Sequence, residues 1–407
     1  MPNFRESRSL QKEKQRRDAV RADAREKRRQ ASLKRLARAA AVLAALAVVV
    51  VAGWAGLGPV RLSAVTDFLQ TAGRRGQGYP METGSGSVLQ TGLAGGSLAL
   101  LWPTVLEVHT PDAYRSLQMS QTYADPALHA CGQRLVMFDR ASGKLSLLSK
   151  TGLLHEKELP RALFCVGLNR RGDIAAACGT EGAASEITAW NTKEKQVFSW
   201  RCEKEYPSAL QPSKNGSSIG MCLVGTEQAG RYARFVEYGY NDKVPRIDLR
   251  IQDASLYGAV QRGSRWLAVG DQAVYRIKAG EAQPEVYSYE GRALLAFSLD
   301  ESGWCAVLLE DWDNRALLRI YNRAGTLEAK QEFARQPLEL TCRGGSVYLR
   351  FDDTLLRWRR AAGFRQSDSL PAGVQDAFPA GGAAYALTVR SVERVRLQWR
   401  TADESLF

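Results

Sequence analysis

The 407-residue sequence lacks the motifs that mark most nucleotide-binding, redox and metal-dependent enzymes. It has no phosphate-binding loop, no dinucleotide-binding glycine pattern and no Cys-x-x-Cys pair, and its only histidines are His109, His129 and His155. Those motifs supply a phosphate cradle, a tight cofactor turn and tetrahedral metal ligands. The three histidines are far apart in the sequence. We therefore predict no catalytic residue, no cofactor-binding residue and no metal-binding residue.

The chain also lacks a basic stripe outside its first residues, although its formal charge is +13. Residues 1–38 contain 14 Lys and Arg against 5 Asp and Glu, a net charge of +9, while residues 39–407 contain 42 against 38, a net charge of +4. Nucleic-acid binding requires basic side chains clustered on one surface. The sequence therefore predicts no nucleic-acid partner for the larger part of the chain.

The seven cysteines all follow residue 130, and several lie in apolar runs such as Leu163–Val166 and Trp304–Val307. In such runs cysteine behaves as a small hydrophobic residue, which is the interpretation favoured here. An odd number of cysteines leaves at least one thiol unpaired within a chain, and sequence alone assigns no disulfide.

One long apolar run is present, from Ala39 to Leu57, and it has no charged residue over nineteen positions. A helix of that length spans about 28 Å, close to the thickness of a bilayer hydrocarbon core. Lys34, Arg35 and Arg38 precede the run, and basic flanks remain on the cytoplasmic side. We predict a basic cytoplasmic tail at 1–38, a transmembrane signal-anchor helix at 39–58 in contact with membrane lipid, and an extracytoplasmic remainder.

A cleaved signal peptide is the alternative interpretation, because Gly53-Trp54-Ala55 resembles a small-residue cleavage site. Its charged region would be 38 residues long, much longer than usual, so an uncleaved anchor is favoured. After Pro59, we predict a short helix over Ser63–Ala72 with Ser63 as its N-cap, ended by Gly73, within a helix-and-linker segment at 59–78.

From residue 87 onward, one unit recurs eight times: an apolar run, a glycine turn and a second apolar run. The turn glycines are Gly96, Gly132, Gly172, Gly216, Gly263, Gly303, Gly345 and Gly382, at intervals of 36 to 47 residues. Units of about 40 residues with four antiparallel strands are typical of β-propeller blades. We predict an all-β fold, a propeller of eight four-stranded blades at 79–407. Seven blades would require the Gly96 or the Gly216 unit to be an insertion or a split blade.

A second marker follows the hairpins: a strand that ends near an aromatic residue and then a polar turn. It occurs at Phe138, Trp190, Tyr238, Tyr275, Tyr321 and Trp358. The last unit has only three strands before the chain ends. An open strand edge favours aggregation, so we predict that residues near Tyr79–Thr83 pair with the last unit and close the ring.

Three short motifs have better structural than functional interpretations. Gly216-Ser217-Ser218-Ile219-Gly220 matches a nucleophile elbow in letters, but an apolar strand follows it where the elbow requires a helix. Arg171-Gly172-Asp173 coincides with a predicted hairpin turn. The loop Glu310–Asn314 has three carboxylates but not the spacing of a calcium loop, which favours a solvated connection between strands.

The whole layout resembles the bacterial membrane-anchored proteins of the domain-of-unknown-function family 5711. The resemblance rests on the basic tail, the anchor, the short helix, the Gly78-Tyr79-Pro80 sequence and the degenerate repeats. It implies a propeller similar to WD-repeat proteins and a Gram-positive type of cell envelope. It implies no activity and transfers no catalytic residue.

These observations favour a binding or scaffold module for an envelope protein or polymer, without catalysis. One alternative is an enzyme whose active-site residues are scattered over several blade loops, and another is a transmembrane sensor. Clustered carboxylates at the channel of the propeller would favour the enzyme, and aromatic side chains would favour the binder. The sequence does not determine the partner or the oligomeric state.

Overall fold

The structure is a computed structural model that describes residues 59–83 and 87–407. The predicted cytoplasmic tail at 1–38 and the predicted transmembrane helix at 39–58 lie outside the described residues. No helix within the described part of the chain is long and apolar enough to cross a membrane. Residues 59–407 form one compact unit, and its described residues contain one α-helix and eight antiparallel sheets.

The helix and the strands of the first four blades follow one another in chain order. The helix is α1 (Pro59–Thr71), and a two-residue strand β1 (Met81–Glu82) follows it. Blade 1 is β2 (Gln90–Ala94), β3 (Ser97–Leu101), β4 (Val105–His109) and β5 (Arg115–Ser120). Blade 2 is β6 (Pro126–Cys131), β7 (Arg134–Asp139), β8 (Lys144–Leu148) and β9 (Leu153–Glu158). Blade 3 is β10 (Leu163–Leu168), β11 (Ile174–Thr180), β12 (Ala183–Trp190) and β13 (Gln196–Cys202). Blade 4 is β14 (Tyr206–Pro212), β15 (Ser218–Glu227), β16 (Gly230–Gly239) and β17 (Ile247–Gln252).

The remaining blades continue the pattern. Blade 5 is β18 (Leu256–Arg262), β19 (Arg265–Gly270), β20 (Ala273–Lys278) and β21 (Glu285–Ser288). Blade 6 is β22 (Leu294–Leu299), β23 (Cys305–Glu310), β24 (Ala316–Tyr321) and β25 (Leu327–Phe333). Blade 7 is β26 (Glu339–Arg343), β27 (Ser346–Arg350), β28 (Leu355–Arg359) and β29 (Gly363–Ser367). Blade 8 begins with β30 (Val374–Ala380), β31 (Ala383–Thr388) and β32 (Ser391–Arg396), and a last strand β33 (Trp399–Thr401) follows. Two short 3₁₀ turns cover Trp312–Asn314 and Glu404–Leu406.

The ring closes as predicted, because β1 pairs antiparallel with β32 and completes blade 8. Met81 lies opposite Val392, and the Tyr79 ring packs against Tyr385 with 5.5 Å between centroids. The eight-blade prediction is therefore confirmed and the seven-blade alternative is excluded. One feature of the sheets was not predicted: β33 returns to blade 7 and pairs with β29 as a fifth strand.

Each pair of neighbouring blades encloses one apolar cluster, so the core is a ring of eight interfaces and not a single centre. Ala175, Ile187 and Met221 belong to the interface of blades 3 and 4. Leu98 and Tyr385 belong to the interface between the first and last blades. Because each unit packs only on its neighbours, the ring can grow to this length without one oversized core.

The predicted glycine turns join the first and second strands of every blade. Seven of the eight predicted glycines have a positive φ, for example Gly96 at 87° and Gly303 at 90°. In blade 8 the residue with positive φ is Gly381, at 69°, and not the predicted Gly382. Both glycines lie in the same two-residue turn, so the sequence located the turn but not its left-handed position.

Two other local predictions were wrong. Ser63 is not an N-cap: α1 already includes Pro59, and the Ser63 hydroxyl lies inside the helix, where it donates to the Val60 carbonyl at 2.8 Å. Proline is favourable in a first helical turn, which the prediction overlooked. Phe138 lies in the second strand of its blade, whereas the other five marker aromatics lie in third strands.

Candidate functional site

The two faces of the ring carry different connections. The loop face carries the segments that lead from one blade to the next and the turns between second and third strands. The glycine-turn face carries the turns between first and second strands and those between third and fourth strands. The first strands of the blades are innermost, and they begin at the loop face and end at the glycine-turn face. Their side chains line the central channel.

The predicted hairpin interpretations of the short motifs are confirmed. Ser218 begins β15 and is buried, and its hydroxyl donates to Glu237 at 2.9 Å. It therefore lies on a strand and not at the exposed elbow that a nucleophile requires. Asp173 is also buried and accepts from the Asn169 amide at 2.8 Å, so the Arg-Gly-Asp sequence is a structural turn.

The structure does not bring the remaining candidates together. His109 lies in blade 1, and His129 and His155 lie in different strands of blade 2. Asp311 in the predicted solvated loop pairs with Arg292 at 3.3 Å. Among the described residues, no three His, Cys, Asp or Glu side chains converge in a metal-binding arrangement.

All seven cysteines are unpaired thiols, six of them buried and Cys165 partly so. Burial raises the pKa of Cys165 to about 12. The Cys131 thiol donates to Glu301 at 3.0 Å, and burial with this carboxylate raises its pKa well above the usual value. Because thiolates and not thiols are nucleophilic, these side chains are inert packing groups. Glu301 comes from blade 6 and Cys131 from blade 2, so their contact crosses the channel near the glycine-turn face.

Four consecutive blades present apolar side chains at the channel mouth on the loop face. We call this set the apolar arc: Phe164, Tyr206, Tyr257 and Leu295, with exposed fractions between 40% and 51%. Phe164 packs edge-on against Tyr206 at 5.6 Å between ring centroids. Tyr257 stacks on Phe297 at 6.3 Å. Exposed apolar patches of this kind are typical of interaction sites.

A repeated backbone irregularity positions the arc. In blades 3, 5 and 6 the pairing of the first two strands skips one residue, and the skipped residues are Phe164, Tyr257 and Leu295. Such β-bulges redirect a side chain, here out of the blade interfaces and into the channel mouth. Blade 4 has its bulge at Ser208, two residues after Tyr206. Sequence reasoning missed the arc because a bulge has no reliable signature in a degenerate repeat.

A carboxyl pair lies across the mouth from the arc, on blades 7 and 8. Burial and a hydrogen bond with Glu339 raise the pKa of Asp376 to about 8. Arg350 pairs with Glu339 at 2.8 Å and donates to the Gln375 carbonyl at 3.0 Å. The Thr91 hydroxyl donates to Asp376 at 3.5 Å. Two carboxyl groups that share a hydrogen bond cannot both ionise freely, so the pair retains a proton between blades 7 and 8, and the Thr91 hydroxyl joins it to blade 1.

We expect the carboxyl pair to make the stability of the ring fall with rising pH. The folded pKa of Asp376 lies above its ordinary value of 3.8, so the folded state binds the extra proton. The contribution of this proton to the free energy of unfolding is fully present below the pKa of Asp376 in the unfolded chain. It is lost as the pH rises through the folded pKa near 8.

The free energy of unfolding of the unmodified chain should fall between about pH 5 and pH 9. In Asp376→Asn, which cannot ionise at this position, that fall should be smaller by about 1 kcal/mol, after allowance for solvent screening. Denaturant unfolding at the two pH values measures this difference. The matched control is Asp368→Asn on the same face, where the exposed carboxyl has no such partner. Parallel pH profiles for Asp376→Asn and the unmodified chain would contradict the shared proton.

Comparisons with known proteins identify the family and the fold. Residues 116–397 match the model of DUF5711, a family of unknown function. Comparison with curated protein sequences gives no match. The C-terminal WD40 domain of Sif2 aligns with a TM-score of 0.53 at 14% identity, covering 79% of this chain and 99% of that one.

Two further solved structures align with similar scores. The propeller of Dos1 has a TM-score of 0.55 at 10% identity and covers 80% of this chain and 96% of that one. The computationally designed protein Ika8 has a TM-score of 0.55 at 10% identity and covers 79% and 98%. At such identities the likeness shows a WD40-like propeller and nothing about function.

Proposed function

The chain belongs to the DUF5711 family of unknown function, and on that premise we propose that it is a binding module whose partner docks at the apolar arc. The observation that supports this proposal is the exposure of Phe164, Tyr206, Tyr257 and Leu295 on four adjacent blades. A rigid ring holds the backbone of these residues in place before binding, which lowers the entropic cost of association. Aromatic anchors surrounded by polar loops are typical of the energetic centre of protein interfaces.

The proposal includes the cellular setting predicted from the sequence. Residues 39–58 would hold the protein in a bacterial cell membrane, with the tail at 1–38 in the cytoplasm and the ring outside. The partner would then be an envelope protein or polymer near the membrane surface, and the ring would act as a scaffold without catalysis. Between an envelope protein and a non-protein polymer, a protein fits the arc better, because its apolar side chains can pack on the exposed rings of the arc.

The proposal is tested by photocrosslinking in intact cells. A photoreactive residue at Tyr257 should trap a partner, whereas the same residue at Val286 should not. The two positions belong to one blade and are similarly exposed, at 45% and 53%, but Val286 lies on the outermost strand. Equal trapping from both positions, or trapping from Val286 alone, would contradict docking at the mouth.

The crosslinked partner then provides a quantitative prediction. Tyr257→Ala combined with Leu295→Ala should weaken its affinity for the ring at least about 10-fold, because each anchor contributes more than about 1 kcal/mol. Val286→Ala should leave the affinity unchanged. Isothermal titration with the purified partner measures both values, and an unchanged affinity for the double variant would remove the arc from the interface.

The enzyme alternative is favoured by one observation, the protonated carboxyl pair of Asp376 and Glu339. A carboxyl group with a pKa near neutrality can act as a general acid. Its neighbours are Arg350 and Thr91, which bind the two carboxyl groups and stabilise the pair. If the chain hydrolysed an envelope component and Asp376→Asn abolished that reaction, the enzyme would replace the binding module.

A further inference from the structure

Helix α1 packs on the ring through Val60, which is buried in the cluster between blades 2 and 3, and through the buried polar residues Ser63 and Asp67. Asp67 is 1% exposed and pairs with Arg134 of blade 2 at 3.6 Å. Lys150, in the turn between the third and fourth strands of that blade, donates to the Thr71 hydroxyl at 3.4 Å. These contacts place the helix on the glycine-turn face.

The exposed side of α1 carries three large apolar side chains beside the polar Thr66 and Gln70. Val65, Phe68 and Leu69 are 51%, 67% and 67% exposed. Positions three and four apart share one side of a helix, so these residues form a continuous stripe. A helix on a globular domain normally turns such a stripe toward the core, whereas this stripe faces solvent.

The face that carries α1 is basic. Six exposed side chains in or beside its turns make no ion pair with another described residue: Lys193, Lys195, Lys214, Arg262, Arg265 and Arg323. The loop face has the opposite character, with exposed Glu181, Glu203, Asp253, Asp352, Asp353 and Asp368. The nearly balanced charge of the domain therefore separates into one basic and one acidic face.

We propose that the glycine-turn face lies on an anionic membrane surface, with Phe68 and Leu69 inserted among the lipid headgroups. Apolar side chains on a projecting helix suit the interfacial layer of a bilayer, and the surrounding lysines and arginines attract anionic headgroups. The basic residues are spread over separate turns around the ring, which suits a flat charged surface better than a nucleic-acid groove.

The position of the helix in the chain supports this occupant. Pro59 follows the apolar run Ala39–Leu57 with a single residue between them, so any membrane-bound form of that run places α1 at the bilayer surface. The apolar arc would then point away from the membrane on the loop face. The inference does not depend on what binds at the arc.

The test uses residues 59–407, so that the apolar run cannot mediate binding. This part contains all eight blade interfaces and the closing strand, and it forms one compact unit. In a flotation assay it should bind vesicles of phosphatidylcholine with phosphatidylglycerol, and bind vesicles of phosphatidylcholine alone at least ~10-fold more weakly. Added salt should reduce the binding.

Phe68→Ser combined with Leu69→Ser should reduce binding to the anionic vesicles at least ~10-fold without a change in net charge. The matched control is Trp312→Ser with Val389→Ser, a pair on the loop face that is 84% and 65% exposed; it should bind normally. Both double variants should keep the circular dichroism spectrum of the unmodified ring, because all four side chains are exposed.

Four results would overturn the inference. These are no binding by the unmodified ring, equal binding by the two double variants, a Phe68-dependent dimer in size-exclusion chromatography, or competition by duplex DNA that is unaffected by the Phe68 and Leu69 substitutions. Equal binding by the two double variants would leave the stripe without a ligand. A Phe68-dependent dimer would assign the stripe to another copy of the chain. Tyr257→Ala should bind vesicles normally, so failure of the arc proposal and failure of this one are distinguishable.

Discussion

A chain that begins at residue 87 should be about 3–5 kcal/mol less stable than one that begins at residue 76. The longer chain includes β1, which pairs Met81 with Val392 and places Tyr79 against Tyr385. The side chains of Tyr79 and Met81 pack on the apolar cluster between the first and last blades. Their removal exposes that cluster and leaves the edge of β32 unpaired. Neither chain contains α1, so the comparison isolates the closing strand.

The shorter chain should unfold roughly 5–10 °C lower in calorimetry. It should also form oligomers, because an unpaired strand edge accepts strands from other molecules. Light scattering at increasing protein concentration measures the second effect. Equal melting temperatures and monomeric behaviour for both chains would mean that the eighth blade is stable with three strands and that β1 does not close the ring.

Trp266→Ala should lower the free energy of unfolding by about 3–5 kcal/mol. Trp266 is completely buried in blade 5 and packs on Phe235 of blade 4, with 5.3 Å between ring centroids. It also covers Gly220, where a Cβ atom would come within 2.4 Å of the indole. The alanine variant therefore leaves a large cavity at one blade interface.

A polar contribution adds to the loss at this site. The Trp266 indole donates to the buried Glu237 carboxylate at 2.9 Å, and the hydroxyl of Ser218 donates to the same group at 2.9 Å. Trp266→Phe keeps much of the packing but removes the indole N–H donor. It should therefore lower the free energy of unfolding less than Trp266→Ala does. Trp312→Ala is the matched control: that side chain is 84% exposed and should change stability by less than about 0.5 kcal/mol. A similar loss for Trp312→Ala and Trp266→Ala would contradict the buried contact.

The two proposals give the faces of the ring different tasks. The glycine-turn face would bind the membrane through its basic side chains and the apolar stripe on α1. The loop face would bind the partner through the apolar arc. Loops on a rigid scaffold vary without affecting the core, so the blades can keep one architecture while the partner site diverges.

The sequence by itself determined the repeat and therefore the fold. Each hairpin needs a residue with positive φ between two apolar strands, and this local requirement places a glycine in every unit from Gly96 to Gly345. The count of eight follows from the same spacing, and the need for a closing strand near Tyr79 follows from the three strands of the last unit. Strand alternation and turn chemistry are local properties, and a single sequence records them.

Only the tertiary structure decided the sites. Phe164 and Leu295 are 131 positions apart, and they reach one channel mouth because ring closure and two β-bulges bring them there. Asp376 and Glu339 share a proton because the innermost strands of blades 7 and 8 are neighbours in the ring. The separation of charge between the faces follows from antiparallel pairing, which sends alternate turns of every blade to opposite sides. Long-range placement of this kind depends on the closed ring, and no local pattern in a degenerate repeat encodes it.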